Sequence, residues 1–483
     1  MSSKMAASSV RTEPHASPQD SASFAGKRVH FIGVAGCGMR ALAQVLVRHG
    51  AAVSGSDACS TGYLQILERE GVTCWSGHDP SRIDGPIDRA VVSAAIPPDD
   101  PELVKLRSMG VPLLKYAQML GLLMERYEGI AIAGTHGKST TTAMTAYTFR
   151  RAGLDPSFVV GANVDQLAGA SGAGTGDYFI AEACEYDRSF LNLRPRFAGI
   201  LNIEEDHLDY YRSLDEILEA FETFVSQVRP GGLAIINGQD PNIRRFADRV
   251  QARTETFGLS PTCHWQAEDI RLENGSYEFD ITYRREAFGH CRLELPGKHN
   301  VLNALAAAAL AHHAGIKPEI VCQAIGEFRG ANRRLTLKAC AGGITLLDDY
   351  AHHPTEIRAS LRAAKERYEP KRLWCVFQPH QHSRTRFLLD DFAHSFADAD
   401  VVMVPDIYFV RDSEAERQLI NSGDLVARIA RLGGTACYLP RFDQIADYLQ
   451  AKLAPGDLVI TMGAGDIWKI CDELIHWLGR DSN

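Results

Sequence analysis

From Arg28 onward the chain alternates short apolar runs with stretches of helical periodicity, and this alternation predicts parallel strands joined by crossover helices. The first run, 28–34, enters a glycine-rich turn, and the helix behind it, 39–49, is expected to stop at Gly50 as a C′ glycine stops it. Further strands are expected near Ala52, Val72, Arg89 and Val111, followed by a helix over 116–128. A new strand, 129–133, runs into a second glycine-rich turn and restarts the pattern, with strands near Phe158, Tyr178, Phe197 and Leu233. Over 262–294 the period shifts to two (Tyr277, Phe279, Ile281, Tyr283), which predicts a small antiparallel insertion in the same unit. A helix over 300–314 closes that unit. Two close apolar runs, 335–338 and 344–347, open a third, whose later strands are expected near Leu373, Val401, Ala436 and Leu458. The pattern predicts an α/β protein of three domains, 26–128, 129–331 and 332–483. A Ser- and Ala-rich segment, 1–25, has little to bury and is expected to be a disordered tail.

A length of 483 residues accommodates three domains of ordinary size. Lys and Arg total 51 against 60 Asp and Glu, a net charge of −9, which argues against nucleic acid as the main partner. No apolar stretch reaches the roughly 18 residues of a membrane helix. The tail lacks the basic start and continuous apolar stretch of a secretory signal. Eleven cysteines without a C-x-x-C pair fit reduced thiols better than a disulfide framework or a zinc ribbon, and predict a cytoplasmic setting.

The chemistry concentrates at strand ends. Gly134-Thr135-His136-Gly137-Lys138-Ser139-Thr140 lies between a strand and a helix, where backbone N–H groups and a helix N-terminus face anionic oxygens. Lys138 would neutralise the outer phosphates and the Ser139 hydroxyl would bind Mg²⁺, although the loop is shorter at its front than G-x-x-x-x-G-K-[ST]. A Mg-nucleotide site also needs carboxylates. The strand near Tyr178 ends at Glu182, a candidate metal ligand, and the strand near Phe197 ends in Glu204-Glu205-Asp206-His207, placing a histidine among acids at the same rim. In the first unit, Gly33, Gly36 and Gly38 follow a strand in the spacing G-x-x-G-x-G, with Asp57 near the position of a ribose-binding acid, so these residues alone leave an NAD dehydrogenase open. In the third, Asp348-Asp349-Tyr350-Ala351-His352-His353-Pro354 pairs acids with histidines suited to proton transfer or metal contact.

Together these blocks resemble the Mur ligase family of ATP-dependent amide-bond-forming enzymes, over nearly all of the chain from His30 to Asp466. The resemblance implies a Rossmann-like N-terminal domain holding the UDP sugar, a central P-loop-type ATPase domain and a Rossmann-like C-terminal domain receiving the amino acid. It implies ATP and Mg²⁺ as cofactors, UDP-N-acetylmuramate and L-alanine as substrates, an acyl-phosphate intermediate, and leaves a homodimer open. It assigns Glu182 and His207 to magnesium, Asn300 and Asn303 to adenine, and Arg334 and Asp349 to the nucleotide. Gly33, Gly36, Gly38, Met39, Asp57, His78 and Ser93 fall in the uridine-diphosphate pocket. Tyr350 and Arg386 fall at the substrate, and Arg384 with His352 or His353 at the reacting groups, either histidine being open as the base that deprotonates the amine.

Three positions depart from the family pattern: Ala35 for Gly, Cys184 for Asp and Gln381 for Arg. Some Mur ligases hold their second magnesium with a carbamoylated lysine, but no Lys lies between Lys138 and Lys298. Among Glu216, Glu219 and Glu222, Glu222 is expected to supply a carboxylate instead. A recycling ligase that adds a tripeptide to the same sugar nucleotide, and a non-catalytic nucleotide-binding regulator, remain open as alternatives.

Overall fold

Three sheets organise the chain in the computed structural model, which describes residues 24–58, 62–410 and 412–480. The first is all parallel, in the order Thr73–Ser76, Ala52–Asp57, Arg28–Ile32, Arg89–Val92, Leu113–Lys115. The order reverses beside Arg28–Ile32, so a crevice opens at the carboxyl ends of the central strands. The helix Cys37–Arg48 starts two residues earlier than its apolar pattern indicated and ends as expected before Gly50, whose φ of +80° relieves the last turn. The helix Tyr116–Met124 is shorter than expected, because Tyr127 and Glu128 turn the chain into the next strand.

The second sheet has ten strands and carries the phosphate loop at its centre. Glu128–Ala133 is flanked by Phe197–Ile200 on one side and Tyr178–Glu182 on the other, all parallel. Its last five residues are buried, as expected of a strand covered on both faces. Helix Lys138–Arg151 packs against helix His299–His313, whose run of alanines from Ala306 to Ala309 permits close approach. The alternating segment does form an antiparallel meander, Trp265–Glu273, Ser276–Tyr283 and Glu286–Leu293. As expected it belongs to the same unit: Trp265–Glu273 pairs parallel with Thr254–Gly258 and extends the main sheet. The buried Glu255 carboxylate ties this junction together, accepting from Arg253, Arg284, Tyr283, Trp265 and His313.

The third sheet runs Thr336–Ala341, Ile344–Asp349, Asp457–Met462, Arg372–Phe377, Val401–Val404, Ala436–Tyr438, with only the first pair antiparallel. The meander reaches this domain: Tyr277 donates to Glu366 at 2.7 Å, and Arg367 donates to the Gly275 carbonyl at 2.8 Å. Residues 1–23 of the expected tail lie outside the described residues. Its last part needs correction, since Phe24 is buried in the first core with the Arg126 guanidinium over its ring. Among the described residues no helix is long and apolar enough to cross a membrane.

Candidate active site

The phosphate loop is shaped by two glycines. Gly134 has φ +146° and Gly137, the residue before the helix, has φ +82°; a Cβ on Gly137 would lie 2.6 Å from Asn303 Oδ1. Asn202, at the end of the neighbouring strand, accepts from the His136 amide at 2.7 Å and donates to the His136 carbonyl at 3.0 Å. The loop is therefore held from the side, where a longer P-loop would hold itself. Asn303 donates to Asn300 (2.9 Å), and Asn300 to the Pro296 carbonyl (2.7 Å), so both expected adenine residues are buried, with Asn303 close against Gly137 of the loop.

Lys138 is the charged centre. Its ammonium donates to the Gly134 and Thr135 carbonyls at 2.5 and 3.0 Å and pairs with Glu185 at 2.9 Å. Burial works against its charge, but the Glu185 carboxylate more than reverses this and raises its pKa. Ser139 donates to Glu182 Oε2 at 2.8 Å, and the same oxygen accepts from the Gly161 amide at 2.7 Å. A Cβ at Gly161 would lie 2.6 Å from that oxygen, so a side chain there would have to displace the carboxylate. His207 has the left-handed φ of +55°, a strain of the kind stored at functional sites. Its Nε2 lies 3.7 Å from Glu185 and 3.9 Å from Asp206.

Glu185 was not singled out from the sequence, where it reads as one more acid in a strand-end loop. Yet it bridges Lys138 and His207, and its second oxygen is buried without a partner. That orphaned oxygen, with Ser139, Glu182 and His207, makes an oxygen-rich donor set that fits Mg²⁺. Glu222 does not join it: its carboxylate is gripped bidentately by Arg249, while Glu216 serves Arg188 and the Arg212 amide. The reason is geometric, since this helix buries Phe221 and Phe224 and turns its acids outward to arginines.

The C-terminal domain closes over this rim. Arg384 donates to Asp206 Oδ1 with Nη2 (2.8 Å) and Nε (3.2 Å), both side chains being buried. Burial disfavours the Asp206 charge, but Arg384 overrides it and holds the carboxyl well below its usual range. Arg334 reaches the loop, with Nη2 3.5 Å from Ser139 Oγ, and stacks on Tyr350. Three further seam residues were not foreseen: Glu356, Thr355 and Glu204. His136 Nδ1 donates to Glu356 Oε1 at 3.1 Å, and Thr355 donates to Glu204 at 2.6 Å. Burial alone would lower the His136 pKa; Glu204 and Glu356 instead raise it to about 9.

The two histidines differ. His353 caps its helix, accepting from the Thr355 amide at Nδ1 and donating from Nε2 to the Glu205 carbonyl at 3.2 Å, so both nitrogens are engaged. His352 donates Nδ1–H to the Tyr350 carbonyl at 3.0 Å, and burial lowers its pKa to about 4, so it is neutral at pH 7 with Nε2 left to accept a proton. Two other expectations are corrected. Asp349, expected at the nucleotide, has both carboxylate oxygens engaged within its own domain, accepting from the Leu335 and Ala351 amides and the Ser360 hydroxyl. Arg386 is held by Glu416 at 3.1 Å through two nitrogens.

In the N-terminal crevice, Gly33 has φ +83° and lies against Ser93, Gly36 begins the helix, and Gly38 lies under the Tyr116 ring. Asp57 accepts from the Ala35 amide at 2.9 Å. His78 bonds Asp100 through Nδ1, while its buried Nε2 has no partner and remains available to a ligand. Met39, expected at the sugar nucleotide, is instead a core residue of its helix.

Known proteins match this arrangement over most of its length. The Mur ligase family catalytic domain matches residues 28–128, the Mur ligase middle domain 132–311, and the Mur ligase glutamate ligase domain 333–465. UDP-N-acetylmuramate--L-alanine ligase of Caldanaerobacter subterraneus subsp. tengcongensis is 40% identical over 452 residues, 93% of this chain and 97% of that protein. The chain belongs to the Mur ligase family. The ligase of the same name from Acetivibrio thermocellus is 41% identical over 92% of this chain and 94% of its own. The crystal structure of UDP-N-acetylmuramate-alanine ligase MurC from Thermotoga maritima superposes with a TM-score of 0.77 at 27% identity, covering 94% of this chain and all of that one. A murein peptide ligase from Psychrobacter arcticus follows with a TM-score of 0.68 at 27% identity, covering 94% and 99%.

Proposed function

We propose that this Mur ligase joins L-alanine to the lactyl carboxylate of UDP-N-acetylmuramate, consuming ATP, in the synthesis of peptidoglycan precursors. One observation carries the reading: Lys138 of the phosphate loop is linked through Glu185, His207 and Asp206 to Arg384 of the C-terminal domain, and the neutral His352 lies within electrostatic reach of Asp206 and Arg384. A carboxylate resists attack by an amine, so the sugar carboxylate first takes the γ-phosphoryl group of ATP and becomes an acyl phosphate. Lys138 and Arg334 stabilise negative charge as it moves onto the transferring oxygens. Ser139, Glu182, Glu185 and His207 would hold Mg²⁺, which supplies further charge neutralisation when bound. The N-terminal crevice, with His78 Nε2 unpaired, takes the uridine diphosphate end.

The amine must shed a proton before it attacks the acyl carbon and expels phosphate. His352 Nε2 is the base in this reading, because His353 has no free nitrogen. Burial keeps the imidazole neutral at pH 7, and the Glu356 and Asp206 carboxylates beside it would offset the charge it takes up with the proton. The deciding experiment measures ADP release with UDP-N-acetylmuramate and each amino acid. L-alanine should give the highest kcat/KM; a preference for a tripeptide acceptor would assign the chain to recycling, and ADP release without any acceptor would overturn the ligase reading.

A further inference from the structure

The geometry points to a transition-metal site of the zinc class at the seam of the central and C-terminal domains, built from His136, Glu204 and His353 and distinct from the nucleotide's magnesium. One ligand atom from each of the three residues lies within 4.8 Å of the other two. His136 Nε2 is 3.5 Å and His353 Nδ1 3.7 Å from Glu204 Oε2, and to ligate the ion His353 Nδ1 would exchange its long 3.3 Å bond from the Thr355 amide for the metal. Bonds of about 2.0–2.1 Å from zinc to nitrogen or oxygen set neighbouring tetrahedral ligands about 3.3 Å apart, so small side-chain shifts would close the site.

Two further features are those of a metal site rather than of a surface charge cluster. Each histidine directs its remote nitrogen to an acceptor: His136 Nδ1 to the Glu356 carboxylate at 3.1 Å, and His353 Nε2 to the Glu205 carbonyl at 3.2 Å. Carboxylates and carbonyls in that position fix the imidazole tautomer and raise ligand basicity at zinc sites. In addition, His136 Nε2 is buried and makes no hydrogen bond, which leaves it aimed into the cluster. Glu204 Oε2 also accepts from Thr355, and the partly exposed Glu204 side chain leaves a fourth position to solvent. Zinc here displaces the proton held by His136. Because His136 belongs to the phosphate loop and His353 to the other domain, the ion would pin the two together.

The test uses the nucleotide-free full-length protein with Zn²⁺ in calorimetric titration and Co²⁺ as a spectroscopic probe. One ion per chain is expected, with the intense visible bands of tetrahedral Co²⁺ and a zinc-dependent rise in Tm. His353→Asn keeps a side chain that caps the helix but removes the imidazole, and should abolish all three signals. Glu356→Gln leaves the ligands in place and should weaken zinc by about 10- to 100-fold. Equal zinc binding by His353→Asn and wild type overturns the site. So does zinc that is lost in Glu182→Gln yet retained in His353→Asn, since the ion would then sit at the nucleotide's metal ligands.

Discussion

Replacing Glu185 by Gln removes one charge from a buried pair without changing its shape, and the structure indicates how the effect divides. The Lys138–Glu185 contact is 2.9 Å, with side chains 13% and 4% exposed. Breaking such a pair outright costs about 3–5 kcal/mol. Lys138 keeps the Gly134 and Thr135 carbonyls, and the amide oxygen of Gln can still accept, so the loss should be near the worth of one charged hydrogen bond, about 2 kcal/mol. In a domain of this size that lowers Tm by roughly 4–8 °C. Nucleotide binding should move the other way when Mg²⁺ is absent, because phosphate no longer competes with Glu185 for Lys138 and no longer meets its negative charge. ADP titrated into the variant in EDTA should bind at least about tenfold tighter than to wild type, a difference of about 1.4 kcal/mol. With saturating Mg²⁺ the order should reverse, since the variant lacks a carboxylate at the metal. Differential scanning calorimetry and isothermal titration with and without Mg²⁺ read the three quantities. Unchanged ADP affinity in EDTA would refute the argument that Glu185 holds Lys138 against the phosphates.

Lys138→Ala should fold normally by circular dichroism and lose at least about a hundredfold in turnover, as loss of a comparable charge-stabilising donor does; retention of a tenth of wild-type activity would refute its role. Glu255→Ala strips a buried carboxylate from five donors and should destabilise by about 1–3 kcal/mol in urea unfolding, chiefly by leaving the buried Trp265 N–H without an acceptor, since Arg253 and Arg284 are exposed to water. Glu222→Ala should leave the magnesium dependence of activity unchanged, because its carboxylate belongs to Arg249; a shifted magnesium titration would restore it to the site. The His136 pairs also give stability a pH signature. The folded pKa of His136, about 9, lies above its unfolded value of about 6.5, so its contribution is complete below pH 6.5 and lost as pH rises through 9. Glu204, lowered to about 2, contributes above its unfolded pKa of about 4.3 and loses that contribution as pH falls toward 2. The decline of wild-type stability between pH 6.5 and 9 should be absent in His136→Asn; parallel curves would refute the assignment.

Periodicity located most strands and the long helices, because burial on one face or both leaves a mark at every second or third residue. It missed Gly169–Gly172 and Thr254–Gly258. The first is Gly- and Ala-containing and sits at a sheet edge, and the second alternates Thr and Glu with few apolar positions, so neither carries the apolar signal. The meander was legible as antiparallel, but its attachment was not. What joins it to the main sheet is the short parallel pairing of Phe257 and Gly258 with Trp265 and Gln266, secured by Glu255, whose partners Trp265, Tyr283 and His313 lie 10 to 58 residues along the chain.

The site divides along the same physical line. Groups that act through their own backbone setting were readable: Lys138 and Ser139 follow a glycine turn, and Glu182 and His207 end strands of one parallel sheet. Groups whose role depends on a partner far along the chain were not. His136 meets Glu356 across 220 residues, and Arg384 meets Asp206 across 178. An acidic run such as Glu204-Glu205-Asp206 has no local feature that assigns its first residue to a threonine and its third to an arginine of another domain. Asn202 makes the same point in a positive sense. The loop's shortness at its front read as a departure from the P-loop pattern, yet the Asn202 side chain bonds both the amide and the carbonyl of His136. The missing turn is replaced by a side chain from the segment that follows the adjacent strand, two residues before the acidic run 204–207. The contacts that the C-terminal domain makes with Glu204 and Asp206 therefore fall within four residues of Asn202, the side chain that holds the phosphate loop.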